Sequence, residues 1–344
     1  MTTLVTGAAG FLGSHVARQL VARGQEVRVL MRPSSSNRAI SDLSLEYVTG
    51  DLRDAASLDR AMAGAKRVFH VAADYRLWAK HPQDIYDSNV GGTKNLLAAA
   101  KRAGVEQLIY TSTVATIAVP TEDGRLADES TPASLKQMIG HYKRSKLIAE
   151  REVLAFSRET MRVIVVNPTT PVGPGDWKPT PTGRIIVDFL NGKMPAFVDT
   201  GLNLVAVEDV AQGHLLAAER GRPGERYLLG GQNMTLQEIL AELSRITGRR
   251  APRVRIPHGV ALAAAYVDTA MCRMMGREPH IPLEGVKIAR HRMFVDTSKA
   301  GRELAFHPGP VPEALKRAVH WYEANGYIGR ARSERTATHA ERAA

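Results

Sequence analysis

Short apolar runs rich in β-branched residues alternate with amphipathic stretches from the start of the chain. TLVTG (3–7) is followed by helical spacing from Phe11 to Arg23, then EVRVLM (26–31) and, after a polar loop, LEYV (45–48). A helix over 55–63 leads to RVFHVA (67–72), and another over 82–103 carries Ile85, Leu96 and Leu97 at helical spacing. QLIYTS (107–112), a helix over 141–158 and RVIVVN (162–167) complete the series. Strands alternating with helices predict a doubly wound α/β fold, a parallel sheet covered by helices on both faces. Such sheets bind ligands at the carboxyl ends of their strands.

After Asn167 the texture changes. NPTTPVGPGDWKPTPTG (167–183) packs prolines and glycines into a long loop, and such loops in compact domains are usually functional. Beyond it the strands are fewer: LNLVAV (202–207), ERYLLG (225–230) and RVRIP (253–257). Thr235 and Glu238 form a capping-box pattern at the start of a helix. The expected organisation is a first domain over 1–168 and a smaller, mixed α/β domain over 169–328 that binds substrate. Elements near 202–232 are expected to return to the first domain. The tail over 329–344 has almost no apolar residue larger than alanine and is expected to be disordered. GVALAAAYV (259–267) is interrupted by Asp268 and Arg273, far short of the roughly 20 apolar residues of a spanning helix. It is read as a buried helix, with a helix resting on a membrane surface as the alternative.

Glycines 7, 10 and 13 stand where the first strand turns into the first helix. Glycine there allows positive φ or a close backbone approach to a pyrophosphate, which the helix N-terminus stabilises. The spacing differs from the commoner G-x-G-x-x-G fingerprint, but its place at the first strand and helix favours a dinucleotide on a Rossmann-type sheet, with Phe11 and Leu12 inside the loop. After the second strand, NAD sites usually carry an acid for the ribose 2′-hydroxyl, whereas an arginine accommodates a 2′-phosphate. This chain has Arg32, followed by serines and Arg38, so NADP(H) is preferred over NAD(H). Asp51, beside Leu52, either accepts from the adenine amino group or caps a helix, a task Asp54 fills equally well. Val71, Ala72 and Ala73 are small enough for the cofactor to pass.

Composition narrows the field. The 344 residues are 44% hydrophobic, as in a globular enzyme, and one cysteine, Cys272, excludes a disulfide framework. No signal peptide is visible and a cytoplasmic location is expected. The net charge of +11 comes from lysines and arginines spread along the chain, which argues against nucleic acid. It suits phosphorylated cofactors, anionic substrates and acidic lipid surfaces alike. The histidines show no metal-ligand spacing, and no metal is assigned.

The sharpest chemical signal is HYKRSK (141–146), where Tyr142 and Lys146 share one helix face. A tyrosine with a pKa near 10 becomes a useful acid–base group when an ammonium and an oxidised nicotinamide favour its phenolate. Thr111, Ser112 and Thr113 supply hydroxyls at a strand's carboxyl end to hold a substrate oxygen.

The segments TGAAGFLG, GDL (50–52), HVAA (70–73), NVGGT (89–93), TST (111–113) and YKRSK resemble the extended short-chain dehydrogenases/reductases, the NAD-dependent epimerase/dehydratase group. That resemblance implies a catalytic Thr113 with Ser112 beside it, Tyr142 as proton donor or acceptor, and Lys146 binding the ribose and lowering the tyrosine pKa. It also implies nicotinamide contacts at Pro168 and Thr169, and a homodimer through the helices near 82–103 and 141–158. HVAADYRLW, GHYKRSK and NPTTPVGP resemble more closely the hopanoid-associated sugar epimerases and the neighbouring dihydroflavonol 4-reductases. Nucleotide-sugar epimerases typically carry N-V-Y-G-P-R after the sixth strand; here Thr170 and Gly175 take the places of the asparagine and arginine. Tyr75, Trp78 and Trp177 lie in loops that either stack on substrate or pack, and Arg184 either meets an anionic substrate group or caps its surroundings. The expected activity is hydride transfer between nicotinamide and the carbonyl or carbinol carbon of a small-molecule substrate. Ketone or aldehyde reduction leads, an epimerase or dehydratase is the rival, and a non-catalytic cofactor sensor comes third.

Overall fold

The computed structural model describes residues 1–76, 78–118, 124–157, 161–275, 277–279 and 282–328. The tail over 329–344 lies outside the described residues. The first half runs β1 (Thr3–Thr6), α1 (Phe11–Ala22), β2 (Val27–Met31), β3 (Glu46–Thr49), α2 (Ala55–Met62), β4 (Arg67–His70), α3 (Gln83–Tyr86), α4 (Gly92–Arg102), β5 (Gln107–Thr111), α5 (Gly140–Phe156) and β6 (Arg162–Pro168). The second half runs β7 (Thr170–Val172), α6 (Pro181–Leu190), β8 (Ala196–Val198), β9 (Gly201–Ala206), α7 (Val207–Arg220), β10 (Arg226–Leu229), β11 (Gln232–Thr235), α8 (Leu236–Thr247), β12 (Val254–Ile256), α9 (His258–Met274), α10 (Leu283–Ile288), α11 (Ser298–Leu304) and α12 (Val311–Ala324).

Seven parallel strands in the order β10-β6-β5-β4-β1-β2-β3 form a Rossmann-type doubly wound sheet. The order reverses between β1 and β4, which opens a crevice at their carboxyl ends. Two apolar cores pack its faces. Val16 and Leu20 of α1 meet Leu215 of α7 on one side, and Leu58 of α2 meets Leu96 of α4 and Val153 of α5 on the other. β10, from the second half of the chain, pairs with β6 and extends the sheet. A third core, with Ile186, Leu240 and Leu315, joins α6, α8 and α12 over a small sheet of β11, β9 and β7. Thr235 caps α8 with both halves of the capping box made.

Two expectations need correction. The helix over 82–103 is interrupted: a π turn at Asp87–Gly91 separates α3 from α4. The segment 259–267 is not buried. In α9 only Ala265 and Cys272 are buried, while Val260, Tyr266, Val267, Met271 and Met274 are more than half exposed. Apolar composition marks a helix but does not tell whether the rest of the chain buries it. No helix among the described residues is long and apolar enough to cross a membrane.

Candidate active site

The crevice begins at Gly7, which takes a φ of 75°. A Cβ there would lie 2.6 Å from the Ala72 nitrogen, and one on Gly13 would lie 2.1 Å from the Gly7 carbonyl oxygen. Gly7 therefore provides the left-handed turn, and Gly13 lets α1 pack onto the loop. Gly10 begins α1 without a side-chain cap and with no acid in the first turn. The N–H groups of Phe11, Leu12 and Gly13 and the positive helix end are left for an anion, so the cradle fits a dinucleotide pyrophosphate. On the opposite wall Val71, Ala72 and Ala73 leave β4 half-buried, with the Ala72 N–H donating to Thr6 Oγ1 at 3.3 Å.

Arg32 is exposed beyond β2; its carbonyl accepts from the Ser35 N–H, and its guanidinium makes no hydrogen bond or ion pair among the described residues. Asp51 holds Arg53 through two 2.9 Å contacts, and Asp54 caps α2. Leu52 is half-buried, and its carbonyl accepts from Asn95. Asp74 is paired with Arg76. Each carboxyl near Arg32 thus has its own arginine, and burial acts against the lowering of Asp74 by Arg76.

Tyr142 and Lys146 extend from the first two turns of α5. Tyr142 is half-buried, and desolvation raises its phenol while hydrogen-bond contact with Thr113 opposes the rise. Thr113 Oγ1 also accepts from the Ala115 N–H at 3.2 Å, which fixes the hydroxyl at the end of β5. Ser112 Oγ is buried without a hydrogen-bond partner among the described residues, an open donor beside the site. Lys146 is 2% exposed and donates to Tyr110 Oη at 2.9 Å and to the Thr111 carbonyl at 2.8 Å. Burial pushes its ammonium down to about 7, against the pull of Glu150. The Thr111 hydroxyl faces inward, 2.9 Å from His214 Nε2, so only its backbone stands at the site.

The second half of the chain closes the crevice. Pro168 ends β6, buried, and Thr169 bonds to the Leu229 carbonyl. Thr170 opens β7, half-buried. His15 of α1 meets the Pro174 carbonyl at 2.9 Å and ties the proline-rich loop to the glycine loop. Trp78 is half-buried and Tyr75 is 42% exposed, close enough to Tyr142 to raise its phenol. Trp177 packs instead against Trp321, with the Arg38 guanidinium 3.6 Å from its ring centre. Arg184 is exposed on the first turn of α6, where Thr180 does the capping.

Sequence reasoning missed a buried support layer. Asn89, in the π turn, accepts from the Asp74 N–H and donates to Ser145 Oγ, joining the β4 exit to α5. His70 lies between Thr6 (2.7 Å) and Thr93 (3.5 Å), and burial lowers it to about 3. The segments HVAA, NVGGT and YKRSK contain His70, Asn89, Thr93 and Ser145, but nothing in their spacing shows that they meet.

His214 gives a stability test. Its Nδ1–H donates to the Val210 carbonyl at 2.7 Å, and burial pushes the ring down to about 4 from an ordinary 6.5. Between those values the unfolded chain binds the proton and the native one does not, so stability falls as pH falls. The slope is about 1.4 kcal/mol per pH unit. His214→Gln should flatten denaturant stability between pH 6.5 and 4 relative to wild type; parallel curves would refute a neutral buried ring.

A profile of the NAD dependent epimerase/dehydratase family matches residues 3–230. The chain is 46% identical over 328 residues to a Synechocystis sp. protein named "Putative dihydroflavonol 4-reductase", covering 94% of this chain and 95% of that one. It is 34% identical over 330 residues to "Sterol demethylase protein B" of Methylococcus capsulatus, covering 95% and 100%. The crystal structure of gox2253 superimposes with a TM-score of 0.85 at 46% identity, over 95% of this chain and 99% of that one. With the glycine cradle, the reversed strand order and the Thr–Tyr–Lys group in one crevice, the chain belongs to the NAD-dependent epimerase/dehydratase family and is an NAD(P)-dependent enzyme of the extended short-chain dehydrogenase/reductase type.

Proposed function

We propose that the protein is an NADPH-dependent reductase of a ketone or aldehyde on a bulky, apolar substrate. Arg32 carries this reading: an exposed guanidinium, without a protein partner among the described residues, stands where an NAD enzyme usually has an acid. The nearby Asp51 and Asp74 are paired with Arg53 and Arg76, so a 2′-phosphate would meet no uncompensated carboxylate. Gly7, Gly10, Phe11, Leu12 and Gly13 would hold the pyrophosphate, with Asp51 and Leu52 on the adenine side. Val71 to Ala73, Thr111, Pro168 and Thr169 would line the nicotinamide half. When bound, NADPH supplies the hydride.

The chain's own groups manage the oxygen and its proton. Tyr142 carries its proton at neutral pH, as an ordinary phenol does and as burial further favours, and gives it to the carbonyl oxygen as that oxygen gains negative charge. Thr113 and Ser112 hold that oxygen. Lys146, one turn along α5, stabilises the phenolate left behind, fixed in place by Tyr110 and the Thr111 carbonyl. Tyr75, Trp78, Thr170 and Arg184 flank the substrate. The relatives' names, a reductase and a sterol demethylase protein, support a carbonyl on an apolar body.

An epimerase would return its hydride to the same substrate molecule and has no reason to prefer NADP. Thr170 and Gly175, in place of the sugar-nucleotide asparagine and arginine, also favour the reductase. Absorbance of NADPH, followed with aromatic ketones, apolar polycyclic ketones, sugar aldehydes and nucleotide sugars, is expected to fall stoichiometrically with a ketone or aldehyde. Inversion of a nucleotide sugar without net NADPH loss would establish the epimerase instead. Arg32→Asp should lower NADPH affinity about ten- to a hundredfold and leave NADH little changed. Equal affinity of the wild type for both cofactors would remove the argument.

A further inference from the structure

The exposed face of α9 is an ordered apolar stripe. Val260, Ala264, Val267, Met271 and Met274 recur at spacings of four and three, which places them along one side of the helix. Val260 and Val267 are 59% exposed, Met271 52% and Met274 85%, with Tyr266 at 52% beside them. Isolated apolar side chains on a surface need no explanation, but a continuous stripe does. α10 packs against the helix.

Cations precede and follow the stripe in the chain. The span 249–292 holds nine lysines and arginines against three acids, a net +6 of the chain's +11, and of the nine Arg255 and Arg292 are paired with Asp199. Arg250 and Arg253 precede the helix, Arg273 and Arg277 stand at its end, and Lys287 of α10 lies 5.7 Å from the centre of the Tyr266 ring; all five are exposed. An apolar helix face bordered by arginine and lysine suits an interface with anionic headgroups outside and acyl chains beneath. A second copy of the chain would bring the same cations into opposition. The charge therefore selects one occupant.

We propose that α9 docks the protein on the surface of an anionic lipid bilayer, with Val260, Val267, Met271 and Met274 entering the acyl boundary and the flanking arginines meeting lipid phosphates. The docked edge adjoins the reactive group. Glu284 of α10 accepts the His141 backbone N–H at the start of α5, one residue before Tyr142. A Cβ on Gly140 would lie 2.1 Å from its carboxyl oxygen, so α10 seats directly on that end of α5. α10 thus links the docking helix to the start of α5, and the proposal, which rests on the reductase reading, makes the substrate class lipid-soluble.

The test is co-sedimentation of the full chain with vesicles of phosphatidylcholine alone or of phosphatidylcholine mixed with phosphatidylglycerol. The wild type should sediment with the mixed vesicles, weakly with the neutral ones, and less as salt rises. Val267→Glu/Met271→Glu changes two exposed positions away from the active site and should lower binding to the mixed vesicles at least tenfold. A second reporter, Tyr266→Trp, should show a blue-shifted emission on mixed vesicles. Wild type left in the supernatant, or the double variant sedimenting like wild type, would overturn the proposal. So would a dimer that the double variant converts to monomer, which would give the face to a second copy. Binding is read without turnover, so its failure leaves the reductase assignment standing. Turnover of a water-soluble ketone tests that assignment separately, and the double variant should leave it unchanged.

Discussion

Tyr142→Phe should lower turnover by two or more powers of ten while cofactor affinity stays within a few-fold of wild type. Removing one oxygen takes away the proton that the nascent alkoxide needs, and a positioned general acid is worth about 10²–10⁴ in rate. The ring remains to fill its half-buried place, and the phenol's contact is with Thr113, a side chain on the substrate side. The effect should therefore fall on kcat, with the change in KM small. Thr113→Val is the companion variant: it keeps the shape, removes the hydroxyl that meets Tyr142, and should lower kcat by a smaller factor. Titration with NADPH, monitored by nicotinamide fluorescence, separates binding from chemistry. Near wild-type turnover in Tyr142→Phe would dismiss the proposed mechanism.

What could be read from the sequence was what is local in it. Gly7 and Gly13 were legible because a turn and a helix–loop contact are decided within a few residues of each other. Tyr142 and Lys146 were legible because helix periodicity places them on one face. The support layer was not, because its members meet only through tertiary packing. Tyr110 reaches Lys146 across 36 positions, Thr111 reaches His214 across 103, and Arg226 reaches Glu150 across 76. Asn89 lies within NVGGT, but the π turn that aims it at Ser145 leaves no mark in hydrophobic periodicity. Trp177 and Trp78 looked equivalent as loop aromatics. Only the aromatic cluster of α12, more than a hundred residues away, makes Trp177 a packing residue. α9 failed in the opposite sense, since its composition promised a core that the rest of the chain does not supply.

Lys146→Met should reduce kcat/KM roughly a hundredfold or more, and unlike Tyr142→Phe it should weaken cofactor binding as well. The ammonium donates to Tyr110 Oη and the Thr111 carbonyl, one turn along α5 from the proposed phenolate. Methionine fills a similar volume but removes both hydrogen bonds and the charge. The pH profile tells whether that charge is the operative feature. Burial brings Lys146 down to about 7 from an ordinary 10.5, so the protonated form is lost as pH rises through neutrality. Reduction that relies on an ammonium beside the departing proton should therefore slow above about pH 7. Glu150 opposes the drop, and its carboxylate is held by Thr116, Asn167 and Arg226 in a pocket where it is 1% exposed. Glu150→Gln keeps the shape and deletes the charge, so Lys146 should fall further and the alkaline limb of kcat should move to lower pH. Glu150→Asp should restore part of the shift if the charge matters. A limb that stays in place in Glu150→Gln, with the variant folded as judged by its thermal midpoint, would show that Lys146 acts through its hydrogen bonds and not through its charge.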